Sequence, residues 1–391
     1  MTRRASRFRL RKKVHVERSC YELTLERLAW VFDRFDHVTV AFSGGKDSTV
    51  CLNLTLEMAR EKKRLPLDVY SFDEEAIPPE TVEYMARVAQ RREVAFRWYC
   101  VPIQHRNACS TREPYWYPWE PEARDRWVRE LPPLAITEYD GLVRKGIAEQ
   151  MRALFPSSVG TVANIMGIRT QESLSRYGAI ASKEGFQAFV NPAAIKWGKN
   201  IYPIYDWMTE DVWIAPQRFG WDYNRAYDVM DAAGVTRHEQ RCAPPFGEQP
   251  IRRLHTYKTC WPQLWAKMVD RVPGAATAAR YANTELYGVS VEADDLPVGM
   301  TWRQWTLAAL EQLPPANRQE AAAAIRVAIS IHNRRAPGAP IPDAEPHPIS
   351  GFSWKLLYIP AKIGGNKFGR VQQKITNKAI QERKRRGIPQ R

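Results

Sequence analysis

The sequence predicts an α/β fold: a parallel sheet covered by helices, followed by a helical C-terminal domain and flanked by basic tails. Three observations predict it. Apolar strand patterns alternate with helical patterns from residue 37 to about residue 101, which is typical of right-handed βαβ units. The glycine pair Gly44-Gly45 separates the first strand pattern from its helix. The formal net charge of +15 is concentrated at the two ends of the chain.

The centre of this prediction is the stretch HVTVAFSGGKDS, whose residues 43–48 we call the glycine loop. Its two glycines can adopt positive φ and leave backbone N–H groups uncovered at a helix N-terminus, where an anion binds. Ser43 and Ser48 add hydroxyl donors, and Lys46 adds a positive charge. This composition predicts a phosphate-binding turn, although its spacing differs from the GxxxxGK[ST] of a Walker A loop.

The elements around the loop follow in order. Residues 22–35 predict a helix, residues 67–72 a second strand, and residues 94–101 a third. A helix between these two strands begins near Pro79, because proline is tolerated in a first helical turn. Ligands bind at the carboxyl ends of parallel strands, so Asp73, at the end of the second strand, is expected to face the same crevice as the glycine loop.

Beyond the third strand the pattern becomes irregular and then helical. Residues 113–121, EPYWYPWEP, place four aromatic residues among three prolines, which predicts either a wall over the crevice or a packed surface loop. Helices are predicted over residues 140–154 and 224–233, and again over residues 302–313 and 319–333.

A further strand over residues 161–168 leads into three charged residues at helical spacing, Arg169, Glu172 and Arg176. Arginine is suited to bidentate contact with phosphate or sulfate, and Glu172 can orient one of the two guanidinium groups. The spacing alone is more typical of an exposed ladder of ion pairs, which is common on helices.

Four segments carry a resemblance to known proteins. The hexad SGGKDS resembles the PP-loop of the ATP pyrophosphatase superfamily, and GIRTQESLSR, from residue 167, is similar to the G-I-R-x-x-E-S-x-x-R signature of the phosphoadenosine phosphosulfate (PAPS) reductase family. SFDEEAIPPET and NIYPIYDWMTEDVW resemble two further segments of that family, although its usual D-T-G is here Asp73-Glu74-Glu75. The resemblance implies a PP-loop domain that is Rossmann-like, of the adenine nucleotide α-hydrolase-like type.

The same resemblance implies a site that binds ATP, or PAPS, with Mg²⁺. The residues implied to bind the nucleotide are Ser43, Gly44, Gly45, Lys46, Asp47, Ser48, Tyr70, Ser71, Phe72, Asp73, Gly167, Arg169, Glu172 and Arg176. Those implied to be catalytic are Lys46, Asp47, Asp73, Arg169 and Arg176, with Asp47 also the implied Mg²⁺ ligand. Trp207 and Trp213 are interpreted as core residues.

Three functions are weighed. The resemblance implies an enzyme that cleaves ATP between the α- and β-phosphates and adenylylates a substrate, with release of pyrophosphate. The family's reductases carry a catalytic cysteine in an E-C-G-L-H segment that this chain lacks, so a PAPS or adenylylsulfate reductase would need Cys242 or Cys260, neither beside a recognisable base. The third alternative is a nucleotide-sensing regulator that binds nucleic acid.

The predicted domains follow composition. They are a basic arm (1–20), the PP-loop domain (21–240), a helical domain (241–335), a Pro-rich linker (336–350) and a basic module (351–391). Residues 1–18 carry eight Lys and Arg against Glu17, and residues 361–391 carry ten against Glu382, so the tails are candidate nucleic-acid contacts. RCAPPFGEQ is similar to a phage- and prophage-associated branch of the family, which implies a ParB-like protein partner; a homo-oligomer is left open.

Composition also bears on location. No apolar run of about 18 residues is present, so no membrane span is predicted, and the basic N-terminus has no apolar stretch typical of a secretory signal. The six cysteines form no CxxC pair, which is typical of reduced thiols. We therefore expect a cytoplasmic protein.

Overall fold

The structure, a computed structural model, describes residues 16–110, 112–181, 183, 185–237, 239–247, 254–281 and 296–363. These residues divide into two compact units. The first contains residues up to 104 together with 117–244 and 256–268, and the second contains residues 105–116, 245–255 and those from 269 onward. This division differs from the predicted boundary at residue 240. Residues 105–116 precede that boundary but belong to the second unit, and residues 256–268 follow it but belong to the first.

A seven-stranded sheet forms the centre of the first unit. The strands of the described chain are β1 (His37–Ala41), β2 (Leu67–Phe72), β3 (Val94–Tyr99), β4 (His105–Arg106), β5 (Tyr115–Trp116), β6 (Ala135–Ile136), β7 (Val162–Ile165), β8 (Val190–Pro192) and β9 (Gly198–Ile201). The order across the sheet is β6-β3-β2-β1-β7-β9-β8, and every pairing is parallel except that of β8 with β9. The predicted parallel α/β sheet is confirmed.

The order of strands creates a switch point beside β1. The chain runs from β1 outward through β2 and β3, and then returns to place β7 on the other side of β1. His37 pairs with Val162, and Val40 pairs with Ile165. The segments that follow β1 and β7 therefore leave the sheet side by side, which is where ligands bind in open α/β sheets.

The helices of the described chain are α1 (Cys20–Phe32), α2 (Lys46–Glu61), α3 (Pro79–Ala89), α4 (Ile147–Leu154), α5 (Leu174–Ala181), α6 (Thr209–Phe219), α7 (Ala226–Ala232), α8 (Leu254–Cys260), α9 (Pro262–Arg271), α10 (Ala275–Tyr281), α11 (Trp302–Gln312), α12 (Pro315–Arg335) and α13 (Trp354–Ile363). A capping box fixes the start of α1, since Ser19 and Glu22 satisfy each other's backbone N–H groups. α4 begins seven residues later than the predicted helix at residue 140, because Gly141 has a φ of 82° and Gly146 caps the helix.

Both faces of the sheet are packed. On one face, residues of α1, α2, α3 and α6 form a large core with β1, β2 and β3, and Leu52 and Leu54 of α2 are fully buried in it. On the other face, Tyr70, Tyr99 and Phe155 belong to a smaller cluster. Burial of α2 against the sheet fixes the direction of its N-terminus and hence of the glycine loop.

The second unit combines a short hairpin with helices. β4 and β5 pair antiparallel, and Arg106 and Tyr115 both donate to the Glu320 carboxylate on α12. The segment 113–121 is thus divided between the units: Tyr115–Trp116 is a strand of the second, whereas Trp119 is buried in the first. This favours the packed-loop interpretation for its described residues.

Residues 336–363, the described part of the predicted linker and basic module, pack against the preceding helices. α13 shares an apolar cluster with α12, whose buried members are Ile325, Ala328, Phe352, Leu357 and Ile359. Tyr358 is buried and stacks on Trp305 of α11 at a centroid distance of 4.2 Å. Residues 336–363 therefore continue the helical unit, because apolar side chains of α13 cover α11 and α12. Tyr358 is therefore closed to stacking by a nucleic-acid base, and residues 364–391 of the basic module lie outside the described residues.

Within the described ranges, we find no helix long and apolar enough to cross a membrane. The basic arm up to residue 15 and the basic residues beyond 363 lie outside those ranges.

Candidate functional site

The glycine loop joins β1 to α2 at the switch point of the sheet. Gly44 has a φ of 70°, and a Cβ there would lie 2.9 Å from Cγ2 of Thr81, so only glycine fits. Gly45 caps α2 without a side-chain hydrogen bond, and within the described residues the N–H groups of Asp47 and Ser48 have no acceptor. The loop therefore presents free backbone donors at a helix N-terminus.

The two hydroxyl groups of the loop differ in burial and in hydrogen bonding. The Ser48 hydroxyl donates to the carbonyl of Gly45 at 2.9 Å and lies 3.2 Å from the Ser43 hydroxyl. Ser43 is exposed, whereas Ser48 is buried. Ser43 is thus the hydroxyl that can turn toward a ligand.

Lys46 is buried inside the protein. Its Nζ donates to the carbonyl oxygen of Gln240 at 3.4 Å and lies 3.6 Å from the Asp47 carboxylate. The ammonium also lies 5.5 Å and 5.8 Å from the ring centroids of Tyr227 and Trp213. Burial lowers the pKa of Lys46 to about 8; Asp47 opposes this, and the positive charges of Arg241 and Arg169 add to it.

Asp47 is held by two cations. Arg169, which is buried, donates to one carboxylate oxygen of Asp47, and Lys46 faces the other. Arg169 is itself fixed by the Gln171 side chain at 3.2 Å and the Trp207 carbonyl at 3.4 Å. This pairing joins the segment after β7 to the glycine loop.

The arrangement does not fit Asp47 as a magnesium ligand. Both of its carboxylate oxygens already face cations, and within the described residues no three His, Cys, Asp or Glu side chains are grouped to hold a metal. A Mg²⁺ ion would have to displace Arg169 or Lys46 from the carboxylate.

Gly167 stands where the two segments touch. A Cβ on Gly167 would lie 2.8 Å from the Asp47 carbonyl carbon and 2.9 Å from the Ser48 nitrogen. These are backbone atoms of the first turn of α2, so they cannot move without disturbing the loop. The lack of a side chain at Gly167 therefore permits this close contact between the two segments. The contact explains the glycine without a bond from Gly167 to a ligand.

Replacing Gly167 with alanine is expected to destabilise the protein by about 1–3 kcal/mol, as overpacking typically does, and to weaken nucleotide binding. The matched control is Gly178→Ala on α5, where no atom lies within 4 Å of the added Cβ. Urea unfolding of both variants measures the effect. Equal stability of Gly167→Ala and the wild-type protein would contradict the close contact.

Arg176 and Glu172 form an ion pair on α5 and the turn before it. The Arg176 side chain is 42% exposed, whereas that of Glu172 is 8% exposed. Burial of part of its side chain, followed by repulsion from Arg241, lowers the pKa of Arg176. Arg176 thus stands partly open beside the other cations.

Asp73 directly follows β2 as predicted, but its carboxylate does not face the crevice. Its carboxylate is fully buried and accepts from Arg129, from the indole N–H of Trp98 at 2.8 Å and from that of Trp119 at 3.2 Å. The backbone N–H of Glu75 also donates to it at 2.8 Å. Its acceptor capacity is used inside the protein. We correct the expectation that it faces the crevice: it anchors residues 119–129 to the end of β2.

The predicted adenine contacts at β2 are also constrained. β2 is an internal strand, and the Tyr70 carbonyl accepts from Phe42 at 2.8 Å, so its backbone groups serve the sheet. The Tyr70 hydroxyl donates to Asn164 at 3.1 Å, Ser71 is buried, and Phe72 stacks on Tyr99 at 5.2 Å. These residues shape the sheet beside the loop, and a contact with adenine stays a prediction.

The cysteines are thiols rather than thiolates. Burial raises the pKa of Cys242 to about 11 and also raises the pKa of Cys260. The pKa values of Cys20, Cys51, Cys100 and Cys109 are raised by burial in the same way. None of the six has the lowered pKa of a nucleophilic cysteine.

Several residues that hydrogen-bond to the loop lie far from it in the chain and carry no local sequence signal. The Tyr227 hydroxyl accepts from the Lys46 backbone N–H at 2.9 Å, and Asn224 donates to the Gly44 carbonyl at 2.9 Å. Gln240 and Arg241 approach Lys46 from the next segment of chain. They lie about 180 residues or more from the loop, so no local pattern reveals them. Trp207 is buried as expected, whereas Trp213 is half-buried beside Lys46.

Comparison with known proteins identifies two domain families and one relative. Residues 37–230 match the phosphoadenosine phosphosulfate reductase domain, and residues 234–343 match a domain of unknown function, DUF3440. The chain is 30% identical over 368 residues to the uncharacterized protein YbdN of Escherichia coli (strain K12), covering 88% of each chain.

Solved structures show a more distant likeness. PAPS reductase from Candida auris is 15% identical, with a TM-score of 0.30, over 53% of this chain and 84% of that one. FMN adenylyltransferase from Candida glabrata is 14% identical, with a TM-score of 0.35, over 53% of this chain and 59% of that one. At these values the likeness says nothing about activity. Through residues 37–230, this chain belongs to the phosphoadenosine phosphosulfate reductase domain family.

Proposed function

We propose that this protein binds ATP with its phosphates at the glycine loop and cleaves it between the α- and β-phosphates. An acceptor group would attack the α-phosphorus, the bond from the α-phosphorus to the bridging oxygen would break, and pyrophosphate would leave. The product would be an adenylylated acceptor.

One observation carries the proposal. Lys46 and Arg169 both pair with Asp47 at a loop whose described backbone N–H groups at the start of α2 are unpaired, and Arg176 pairs with Glu172 on the segment after β7, which makes three cations against two carboxylates. The excess of positive charge and donors favours a polyanion such as a triphosphate. Fixed donors and cations of this kind stabilise charge that develops during phosphoryl and adenylyl transfer.

Each residue of the site would have a separate role in binding the phosphates. The N–H groups of Asp47 and Ser48 would bind phosphate oxygens at the start of α2, and the Ser43 hydroxyl would add a donor. Lys46 would neutralise charge from within the protein. Asp47 would keep Arg169 in place, and Gly167 would let the two segments approach.

The thiol state of the cysteines favours adenylyl transfer over reduction. A reductase needs a thiolate that attacks sulfur, and the raised pKa values of Cys242 and Cys260 oppose its formation. Cys242 is also buried beneath the loop, where Asn224 donates to its sulfur at 3.4 Å. PAPS as an alternative ligand remains compatible with the charges.

Calorimetric titration of the full chain tests whether the protein binds ATP through its phosphates. We expect ATP to bind and inorganic pyrophosphate to compete with it, because both place phosphates at the same loop. The unphosphorylated nucleoside adenosine serves as the control and is expected to bind far more weakly. Equal affinity for adenosine and ATP would contradict phosphate binding by the loop.

A further inference from the structure

Asn224 joins the glycine loop to two other segments of the first unit. Its side chain is fully buried, and its Nδ2 donates to the Gly44 carbonyl at 2.9 Å and to the Thr81 hydroxyl on α3 at 2.8 Å. The same nitrogen lies 3.4 Å from the Cys242 sulfur. Its Oδ1 accepts from the Ala226 N–H at 2.9 Å, which fixes the orientation of the amide and leaves its N–H groups facing the loop.

The bond from Asn224 decides which way the peptide between Gly44 and Gly45 faces. This peptide is trans, so its carbonyl and its N–H point in opposite directions. Because Asn224 holds the carbonyl, the Gly45 N–H points away from Asn224, toward the Ser43 hydroxyl at 3.4 Å. Ser43 is exposed, so the Gly45 N–H lies on the side of the loop that is open to a ligand.

Two glycines in sequence make this peptide easy to reverse. Glycine adopts positive and negative φ with similar ease, so neither flanking residue opposes a rotation of the 44–45 peptide through a side chain. A reversed peptide would direct the Gly44 carbonyl oxygen toward the ligand. A carbonyl oxygen has no hydrogen to donate and repels a phosphate oxygen. A phosphate-binding loop with this sequence therefore needs a group that holds the peptide in one orientation.

The next peptide, 45–46, is held by a neighbour of Asn224. The Tyr227 hydroxyl accepts from the Lys46 N–H at 2.9 Å, and the Gly45 carbonyl accepts from the Thr49 N–H at 2.9 Å. Tyr227 is buried and belongs to the first turn of α7. We call Asn224 and Tyr227 the loop clamp, because together they fix the peptides on both sides of Gly45.

We propose that Asn224, assisted by Tyr227, is a positioning residue of the nucleotide site, which holds the Gly44–Gly45 peptide in the orientation that presents the Gly45 N–H to a phosphate oxygen. The inference rests on the proposed function, because it takes the glycine loop as the phosphate site. It adds the Gly45 N–H to the phosphate donors of the loop. It also explains why a buried asparagine 180 residues along the chain contacts the loop.

The first experiment observes the peptide without any ligand. The sequence has two Gly–Gly bonds, at 44–45 and 364–365, so the full chain labelled with ¹³C′-glycine and ¹⁵N-glycine gives carbonyl-filtered amide signals from Gly45 and Gly365 alone. Gly365→Ala removes the second signal and so assigns the first. We expect one Gly45 signal in the wild-type protein. Asn224→Ser should give a second or displaced signal from the reversed peptide, because serine is too short to reach the Gly44 carbonyl.

The variants are chosen to keep the fold. A serine hydroxyl at position 224 still accepts from the Ala226 N–H, so the turn before α7 should persist. Tyr227→Phe keeps the buried ring, removes only the acceptor of the Lys46 N–H, and is also expected to displace the Gly45 signal. A Gly45 signal unchanged from wild type in either variant would overturn the positioning role of the residue that was changed.

Asn191→Ser is the matched control. Asn191 is also buried, and its Nδ2 donates to the Phe189 carbonyl at 3.3 Å. It lies on β8, however, which is the edge strand of the sheet and is separated from β1 by β9 and β7. The same chemical change at this position should leave the Gly45 signal and the affinity for ATP unchanged.

The second experiment measures ligand binding by calorimetry. We expect Asn224→Ser to bind ATP about tenfold more weakly than wild type, because only the fraction of molecules with the correct peptide orientation binds. Pyrophosphate should move the Gly45 signal of Asn224→Ser to its position in the wild-type complex, since a phosphate selects the N–H orientation. Equal affinity of Asn224→Ser and wild type would overturn the link between this peptide and binding. If wild type binds no ATP while Asn224→Ser still displaces the Gly45 signal, the proposed function fails and the hold of Asn224 on the peptide is supported.

Discussion

Replacing Lys46 with methionine is expected to reduce ATP cleavage by about 10²–10³-fold, equivalent to roughly 3–4 kcal/mol of transition-state stabilisation. The amine is buried beside the loop, where low local polarity strengthens its attraction to phosphate. Methionine has a similar length and suits the rings of Trp213 and Tyr227, so the fold should persist. Initial rates of pyrophosphate release measure the effect.

The control for this change is Lys196→Met. Lys196 is exposed, so removal of its charge should leave the rate unchanged. Unfolding curves of both variants separate lost chemistry from lost structure. A folded Lys46→Met protein that cleaves ATP at the wild-type rate would remove Lys46 from the site.

Replacing Asp73 with alanine is expected to lower the free energy of unfolding by about 3–5 kcal/mol, because it leaves Arg129 as an uncompensated buried charge. The indole N–H of Trp98 would also lose its acceptor, whereas that of Trp119 would keep the backbone carbonyl of residue 73 at 3.0 Å. Chemical denaturation with tryptophan fluorescence measures the loss. The effect is on the whole first unit, since Asp73 ties the 119–129 segment to β2.

Two further variants test whether the loss of stability comes from the buried Asp73–Arg129 pair. Glu122→Ala removes an exposed partner of Arg144 in the same segment and should change stability little. The double variant Asp73→Ala with Arg129→Met removes both buried charges and should recover part of the lost stability. If Asp73→Ala is as stable as wild type yet inactive, Asp73 acts in the site as the resemblance implied, and its structural role is wrong.

The sequence predicted the loop well because the information is local. Residues 43–48 follow one strand and begin one helix, so spacing alone defines the turn. The resemblance also implied that Gly167 and Arg169, which follow another strand, belong to the same nucleotide site as the loop. The structure explains this through the parallel pairing of β1 with β7.

The role of Asp73 could not be read in the same way. Its partners, Arg129 and Trp119, lie in an irregular segment whose path depends on tertiary contacts. The same holds for Tyr227 and Arg241, which reach the loop from helices and turns far along the chain. Composition likewise suggested a separate module after residue 350, whereas apolar packing of α13 joins it to α11 and α12. Long-range packing decides such positions.

The most direct test of the account is to incubate the purified full chain with Mg²⁺ and α-labelled ATP and to resolve the products. The account predicts pyrophosphate together with AMP or an AMP adduct, since the α–β bond is the one cleaved. It also predicts that Lys46→Met abolishes most of this product. Formation of ADP and inorganic phosphate, with the α–β bond intact, would contradict the central claim.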